Sequence, residues 1–510
     1  MEPQLKDWFK VKGYPHIGLP LSFSDRDWVN KYVQNKASVS KHAFLPFIHK
    51  TIKSRKYRKK YDDNGDILND GMRTPDYKKR EIFYASHLDS NIYSYYSFLL
   101  SSYYESLLKS LNLFNVVTAY RRLPLENNKV KSRNKCNIDF ANEVFEFIRN
   151  NKSNELSAII LDITSYFDHL DHRILKNMWC KILNVESLPS DHYNIYRNIT
   201  KFSFVEEKDI FNEFQSEIYV KNKSGEIRKK IIGRGKYLRN QSAIAYCKKE
   251  DFNSRIRKKG LIKTNKYNDK TKKELRKKGI PQGSPISSVL ANIYLMDFDN
   301  EIHEIISNNG GLYRRYSDDM VVVCKRELCD KIVNMFYEKI KNYKLDIQPS
   351  KTQIFHFVKE DNNFICSKET KSKKLITTKN FEYLGFEFDG QYTMLKSSSL
   401  ASFYRKMKRT LGRCAFYAKY TNNQSKGKLF KNRLYKNFSY IGANRKRIYC
   451  RDKNDPTKWI KTHKYNWGNY LSYALLAKNN MKKNKIANQV KNHWKILNKL
   501  IKDKEKLLET

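Results

Sequence analysis

Acidic residues are scarce in this chain. Across 510 residues, 53 Asp plus Glu stand against 100 Lys plus Arg, a formal net charge of +47. That imbalance points to a polyanionic partner, with nucleic acid the leading candidate. An AT-rich genome inflates Lys, Asn, Tyr and Ile and accounts for part of the lysine count, but not for the shortage of acids. No run of about 18 apolar residues occurs, so the sequence offers nothing to span a bilayer and no membrane partner is expected. The start, MEPQLKDWFK, carries acids and no apolar h-region, so export is not expected and the cytoplasm is the expected compartment. The eight cysteines are scattered, with no C-x-x-C pair and no His at zinc-finger spacing. This excludes a zinc finger and leaves reduced structural thiols as the reading. No internal repeat is evident. With 40% hydrophobic residues, a chain of this length buries a substantial core in roughly two to four domains.

Along the chain, residues 1 to about 80 begin with Gly/Pro punctuation (Gly13, Pro15, Gly18, Pro20). A basic run, KSRKYRKKY, and a polar stretch, DDNGDILNDG, follow, and together they predict an irregular extension with a mobile loop. Apolar and aromatic residues at helical spacing over 81–111 predict a buried helix, and IDFANEVFEFI (138–148) predicts an amphipathic one. LSAIILDI reads as a strand that ends on a carboxylate. Residues 200–278 are strongly basic, with RKKIIGRGKYLR, RIRKKG and KTKKELRKK, and read either as a phosphate-contacting element or as a solvated basic loop. GIPQGSPISSVLANIYLMDFD is a Gly/Pro/Ser-rich turn running into an apolar helix. GLYRRYSDDMVVVC reads as two strands around a tight polar turn. From about 396 to 510 the chain reads as helical, basic and aromatic.

The chemistry lies in three carboxylates. Asp162 closes an apolar strand, and the YSDD turn would push Asp318 and Asp319 outward from a sheet end. Carboxylate oxygens suit hard Mg²⁺, and two such clusters on adjacent strands could hold two Mg²⁺ ions about 3.5 to 4 Å apart, the arrangement phosphoryl transfer uses. Mn²⁺ is a natural substitute. Asp168, Asp171 and His172 read as caps and anchors of a nearby helix, and His169 and His172 are poor Mg²⁺ ligands.

Five ordered strings resemble the reverse-transcriptase family: LDITSYFDHLDH, GIPQGSPISSVLANIYL, RRYSDDMVVVC, LDIQPSKTQIF and FEYLGFEF. The resemblance covers about residues 80 to 395. It implies an α+β right-hand polymerase fold, an antiparallel sheet with packed helices, followed by an α-helical thumb-like region. The implied domains are an N-terminal extension (1–80), fingers (81–160), a palm (161–395) with a basic insertion at about 200–278, and a thumb-like nucleic-acid-binding domain (396–510). It implies that Asp162 and Asp318 bind both metals with Asp319 in support. Phe167 would be the aromatic gate that excludes a ribose 2′-hydroxyl. Gln282 and Gly283 would lie against the incoming nucleotide, and Lys351 would give a proton to pyrophosphate, with a solvated lysine as the alternative. Tyr383, Leu384 and Gly385 fall in the primer grip. Arg121 and Arg122 are candidates for triphosphate contacts, and Arg121 could equally pair a core carboxylate.

No RNase H or integrase-like carboxylate set follows, no Cys/His endonuclease cluster is present, and the strings of retron enzymes are lacking. The lead-in YASHLDSNIYSYYSFLLSSYYESL, AYRRLP and the terminal region resemble the bacterial defence-associated and abortive-infection reverse transcriptases. That resemblance implies RNA-directed DNA synthesis in antiphage defence, with dNTPs as substrates, a structured noncoding RNA as partner and DNA as product. Some relatives form trimers or hexamers, so a homo-oligomer is an open expectation. Template-independent or protein-primed synthesis, a group II intron-like or retron-like enzyme, and a non-enzymatic RNA-binding scaffold stay open as alternatives. In the C-terminal segment, Trp467, Tyr470, Tyr473, Leu476 and Trp494 read as helix-packing core or as base-stacking faces.

Overall fold

A computed structural model describes residues 8–59, 68, 72–125, 133–151, 155–222, 224–268, 274–360, 363–421, 426–444, 447–451, 455, 457–465 and 468–509. The fold is α+β, and it divides into two compact units. The first comprises residues 1–121, 160–322 and 330–352; the second comprises 122–159, 323–329 and 353–510. In this division residues 122–159 group with the C-terminal half.

In the first unit, strands β1 (Phe47–Lys59) and β2 (Arg73–Tyr84) pair antiparallel from Ile48↔Tyr84 to Lys59↔Arg73. The extension is therefore not irregular, a correction to the sequence reading. Most of the polar stretch at 62–71, expected to be a mobile loop, lies outside the described residues. Helix α1 (His87–Ser110) starts at Ser86, whose hydroxyl accepts from the Asp89 backbone N–H. It buries Ile92, Tyr96, Leu100, Tyr104 and Leu108, one residue per turn, as its periodicity predicts. Strand β3 (Leu156–Asp162) is buried along almost its whole length. Helix α2 (His172–Leu183) is capped by Asp171, which accepts from the backbone N–H groups of Arg173 and Ile174. Strands β4 (Leu312–Tyr316) and β5 (Asp319–Lys325) form the expected hairpin. The sheet order is β4-β5-β3, and the unit border falls within β3 and β5, whose residues 156–159 and 323–325 group with the second unit.

The basic stretch at 200–278 is a folded element rather than a solvated loop. Ser203–Glu206 pairs parallel with β1 and antiparallel with Lys263–Thr264, while Ile218–Lys221 pairs with Ile227–Lys230 and with Ala243–Cys247. The strand His16–Ile17 adds in parallel to Ala243–Cys247. Ile17, Ile48, Ile210, Phe214, Ile218, Tyr246 and Ile256 share one core. Residues near both ends of a long loop are thus buried together, which offsets the entropy of closing it.

In the second unit, β6 (Gln353–Glu360) pairs antiparallel with β7 (Asn363–Glu369), and β7 with Leu375–Ile376. A short antiparallel sheet follows: β8 (Phe381–Tyr383), β9 (Phe386–Phe388) and Thr393–Leu395. Helix α3 (Ser397–Tyr420) and the terminal helix His493–Glu509 belong to the same unit. The region is helical as expected, and it also holds one strand pair, Arg447–Arg451 antiparallel with Trp459–Tyr465. Its aromatics largely pack: Tyr470 stacks on Phe403, Tyr473 on Phe386, and Trp494 meets Tyr435 and Tyr440. Leu476 is half-buried, and Trp467 lies outside the described residues. Among the described residues, no helix is long and apolar enough to cross a membrane.

Candidate active site

Strand β3 delivers Asp162 to its end, and the next backbone N–H, that of Ile163, donates to the Asp318 carbonyl at 3.2 Å. The β4–β5 turn is two residues long, with Ser317 at φ 63°. That left-handed conformation is uncommon for a residue with a Cβ, and it lets the chain reverse tightly enough to set Asp318 and Asp319 side by side. Beneath the turn, Arg315 is fully buried and paired with equally buried Asp299, at 2.7 Å from Nε and 2.5 Å from Nη2. Its Nη1 donates to the Ser317 carbonyl at 3.2 Å. Its own backbone bonds Val116 and Thr118. A buried ion pair with this many bonded edges fixes one conformation of the turn.

Electrostatics tie the carboxylates together. Burial pushes the Asp319 carboxyl up to about 6, and the negative charges of Asp318 and Asp162 push in the same direction. Lys351 and Lys78 pull the other way. Lys351 Nζ lies 2.6 Å from Asp162 Oδ1. Its turn, Pro349–Lys351, is anchored where the Gln348 N–H donates to the Asp162 carbonyl at 2.9 Å. Lys351 is thus both solvent-exposed and ion-paired with the strand-end carboxylate. Lys78, on β2, belongs to no motif the sequence displays. Only the pairing of β1 with β2 brings that ammonium within reach of Asp319.

Phe167, Gln282 and Gly283 are also brought together. The Phe167 carbonyl accepts from the Ile280 N–H at 2.9 Å, and the Gln282 carbonyl accepts from the Phe83 N–H on β2 at 2.8 Å. Gly283 has φ +116°, and a Cβ there would lie 2.7 Å from the Phe83 carbonyl oxygen. Only glycine lets the turn approach β2 this closely. The Phe167 ring is half-buried beside Tyr166. Of the two roles open to Arg121, the structure shows the ion pair: Nη2 lies 2.6 Å from Glu105, with the arginine side chain 3% and the glutamate side chain 32% exposed. Arg122 is exposed and belongs to the second unit. Tyr383, Leu384 and Gly385 lie in that unit too, at the β8–β9 turn, with Leu384 and Gly385 at φ 44° and 93°.

The donor set fits a hard divalent cation. It is all oxygen, and repulsion among Asp319, Asp318 and Asp162 is what such an ion would relieve. Among the described residues, no group of three or more Asp, Glu, His or Cys side chains is placed to hold a metal ion; an ion at these carboxylates would need further ligands from water or substrate phosphates. The Lys351 ammonium on Asp162 supplies positive charge at the same carboxylate.

Residues 240–388 match the family described as "Reverse transcriptase (RNA-dependent DNA polymerase)". No curated protein matches the chain. Among solved structures, apo telomerase from Candida tropicalis is 11% identical with a TM-score of 0.37, over 82% of this chain and 61% of that one. A form truncated from its C-terminal domain is 12% identical with a TM-score of 0.34, over 70% and 61%. Telomerase from Candida albicans, solved with a fragment of telomeric RNA, is 12% identical with a TM-score of 0.35, over 79% and 58%. The chain thus spans about three fifths of these telomerase chains, and at such scores the likeness carries no argument about function. The matched segment, with the YSDD hairpin and the Gln-Gly turn inside it, shows that the chain carries a reverse-transcriptase domain.

Proposed function

We propose that this protein copies RNA into DNA, joining deoxynucleoside triphosphates to a growing strand. The observation that carries the reading is the set Asp162, Asp318, Asp319 and Lys351, gathered in one unit with Asp319 pushed up by its neighbours' charge. Two Mg²⁺ ions held by Asp162 and Asp318, with Asp319 in support, would supply Lewis acidity and neutralise phosphate charge. The chain's own groups do the rest. The priming hydroxyl gives its proton to solvent water as its oxygen attacks the α-phosphorus; the bond from that phosphorus to the oxygen bridging the β-phosphate breaks, and pyrophosphate leaves with that electron pair. Lys351, whose side chain is 48% exposed, is free to turn from Asp162 toward the leaving group and give it a proton. Phe167, tied through its carbonyl to the segment that carries Gln282, would crowd the sugar C2′ and exclude ribose. Lys78 on β2 would face the triphosphate.

The sequence resemblance to defence-associated enzymes supports antiphage immunity as the setting, with a structured noncoding RNA as template and bacterial cytoplasm as the place. Incubating the purified protein and its co-purifying RNA with Mg²⁺ and dNTPs should give a DNA product complementary to that RNA. A product that forms from a single dNTP regardless of template would replace this reading with template-independent synthesis. Protection from phage by the Asp318→Ala, Asp319→Ala double variant would replace it with a non-enzymatic role.

A further inference from the structure

Between Asp389 and Asp452 the sequence contains no carboxylate side chain, while lysines and arginines recur throughout. Helix α3 lies inside that stretch. One side of it is buried through Phe403, Met407, Leu411 and Ala418. At 100° per residue, the opposite side aligns Arg405, Arg409, Arg413, Phe416 and Tyr420 within an arc of about 80°. All five are exposed. The three guanidiniums follow one another at one-turn intervals, about 6 Å apart along the axis. Among the described residues, none of them is paired with a carboxylate. The stripe ends on two rings in mutual contact, Phe416 and Tyr420, with centroids 4.7 Å apart and exposures of 61% and 66%.

Each half of the stripe specifies something different. A row of cations alone attracts any polyanion and is indifferent to its sequence or strandedness. Solvent-facing rings forgo burial that would stabilise the fold, and a ring pair at the end of a cation row makes a platform for flat, uncharged faces. Nucleic-acid bases offer such faces only when they are not paired within a duplex. The aliphatic contacts a folded protein partner would want are missing from the stripe, and no acid is present to pair with a partner's cations.

We propose that this face of α3 holds single-stranded nucleic acid, with phosphates along Arg405, Arg409 and Arg413 and bases stacked on Phe416 and Tyr420. The site lies in the second unit and does not depend on the polymerase chemistry of the first. RNA and DNA strands share the recognising chemistry, so both are tested.

The test uses the full-length protein in EDTA, which keeps catalysis off, at about 150 mM salt to limit non-specific binding. Fluorescence anisotropy would compare labelled oligo(U) and oligo(dT) of about 20 nucleotides with an RNA duplex of the same length. The Phe416→Ala, Tyr420→Ala variant should bind one or both single strands about tenfold or more weakly and the duplex as wild type does. The arm that weakens names the strand. Because both rings face solvent, retained duplex affinity also reports that the fold is intact. Replacing Arg405, Arg409 and Arg413 with Gln should lower the dependence of log affinity on log salt by about two for single strands. Wild-type affinity of the aromatic variant for both single strands would overturn the proposal, as would equal losses on single strands and duplex. The Asp318→Ala, Asp319→Ala variant should keep this binding, so a failed polymerase assay and a failed stacking site remain distinguishable.

Discussion

Replacing Asp319 with Asn should stabilise the metal-free protein while abolishing synthesis, and the size of the gain should depend on pH. In the folded chain the Asp319 carboxyl titrates at about 6 against an ordinary 3.8. An acid raised in this way supports folding fully below about pH 3.8, and that contribution is lost as pH rises through 6. The integrated loss is on the order of 2 kcal/mol at pH 5 and 3 kcal/mol at pH 8. Asparagine carries no charge at any pH, so the variant escapes both the desolvation and the repulsion from Asp318 and Asp162. Melting curves in EDTA should therefore show the variant above wild type, by a margin that widens by on the order of 1 kcal/mol in equivalent stability between pH 5 and pH 8. Adding Mg²⁺ at pH 8 should raise the wild-type melting temperature and narrow the gap, because binding to the ionised site stabilises the folded state by linkage. A variant that melts at or below wild type at pH 8, or a margin that does not change with pH, would refute the reasoning. Either result would mean that the three carboxylates are not electrostatically joined in the way the geometry indicates.

Three other substitutions probe separate parts of the site. Phe167→Val should admit ribonucleotides, read as a fall in the dNTP-over-rNTP ratio of kcat/KM; an unchanged ratio would remove the ring from sugar selection. Gly283→Ala must place a methyl group 2.7 Å from the Phe83 carbonyl at a φ that alanine avoids. It should raise KM for dNTP more than it lowers thermal stability, and unaltered kinetics would show that the turn does not border the nucleotide. Arg315→Met leaves Asp299 buried and unpaired, so it should cost about 3 to 5 kcal/mol. The double change Arg315→Met, Asp299→Asn should recover much of that stability, and strictly additive losses would deny the coupling.

The placement of Asp162, Asp318 and Asp319 at a strand end and a tight turn, and the turns around Gln282 and Lys351, were legible in the sequence because those features are local. A strand that ends on Asp162, a two-residue turn at Ser317–Asp318 and a glycine at position 283 announce themselves within a few residues. The β1–β2 hairpin was not legible, since KSRKYRKKY carries charge on both faces and lacks the apolar alternation that marks a half-buried strand. Lys78 was missed with it, because its place beside Asp319 follows from pairing rather than from any motif. The folded state of residues 200–278 was hidden for a related reason: its strands complete their sheets with Phe47–His49 and His16–Ile17, partners far away in sequence. Arg121 shows the converse limit, as an arginine in AYRRLP looks the same whether it meets a phosphate or Glu105.

The parallel pairing of His16 with Ala245 also sets a timetable for biosynthesis. At ribosomal rates of about 5 to 20 residues per second, the N-terminal strand emerges on the order of tens of seconds before its partner. Ile17 and Ile48, which belong to a core completed by Ile218, Tyr246 and Ile256, stay without much of their final packing for that interval. A nascent chain this basic, emerging among ribosomal RNA, has polyanions at hand before its sheet can close. Early folding of this protein is therefore a contest between a distant strand and nearby nucleic acid, and anything that slows translation between residues 50 and 245 lengthens the contest.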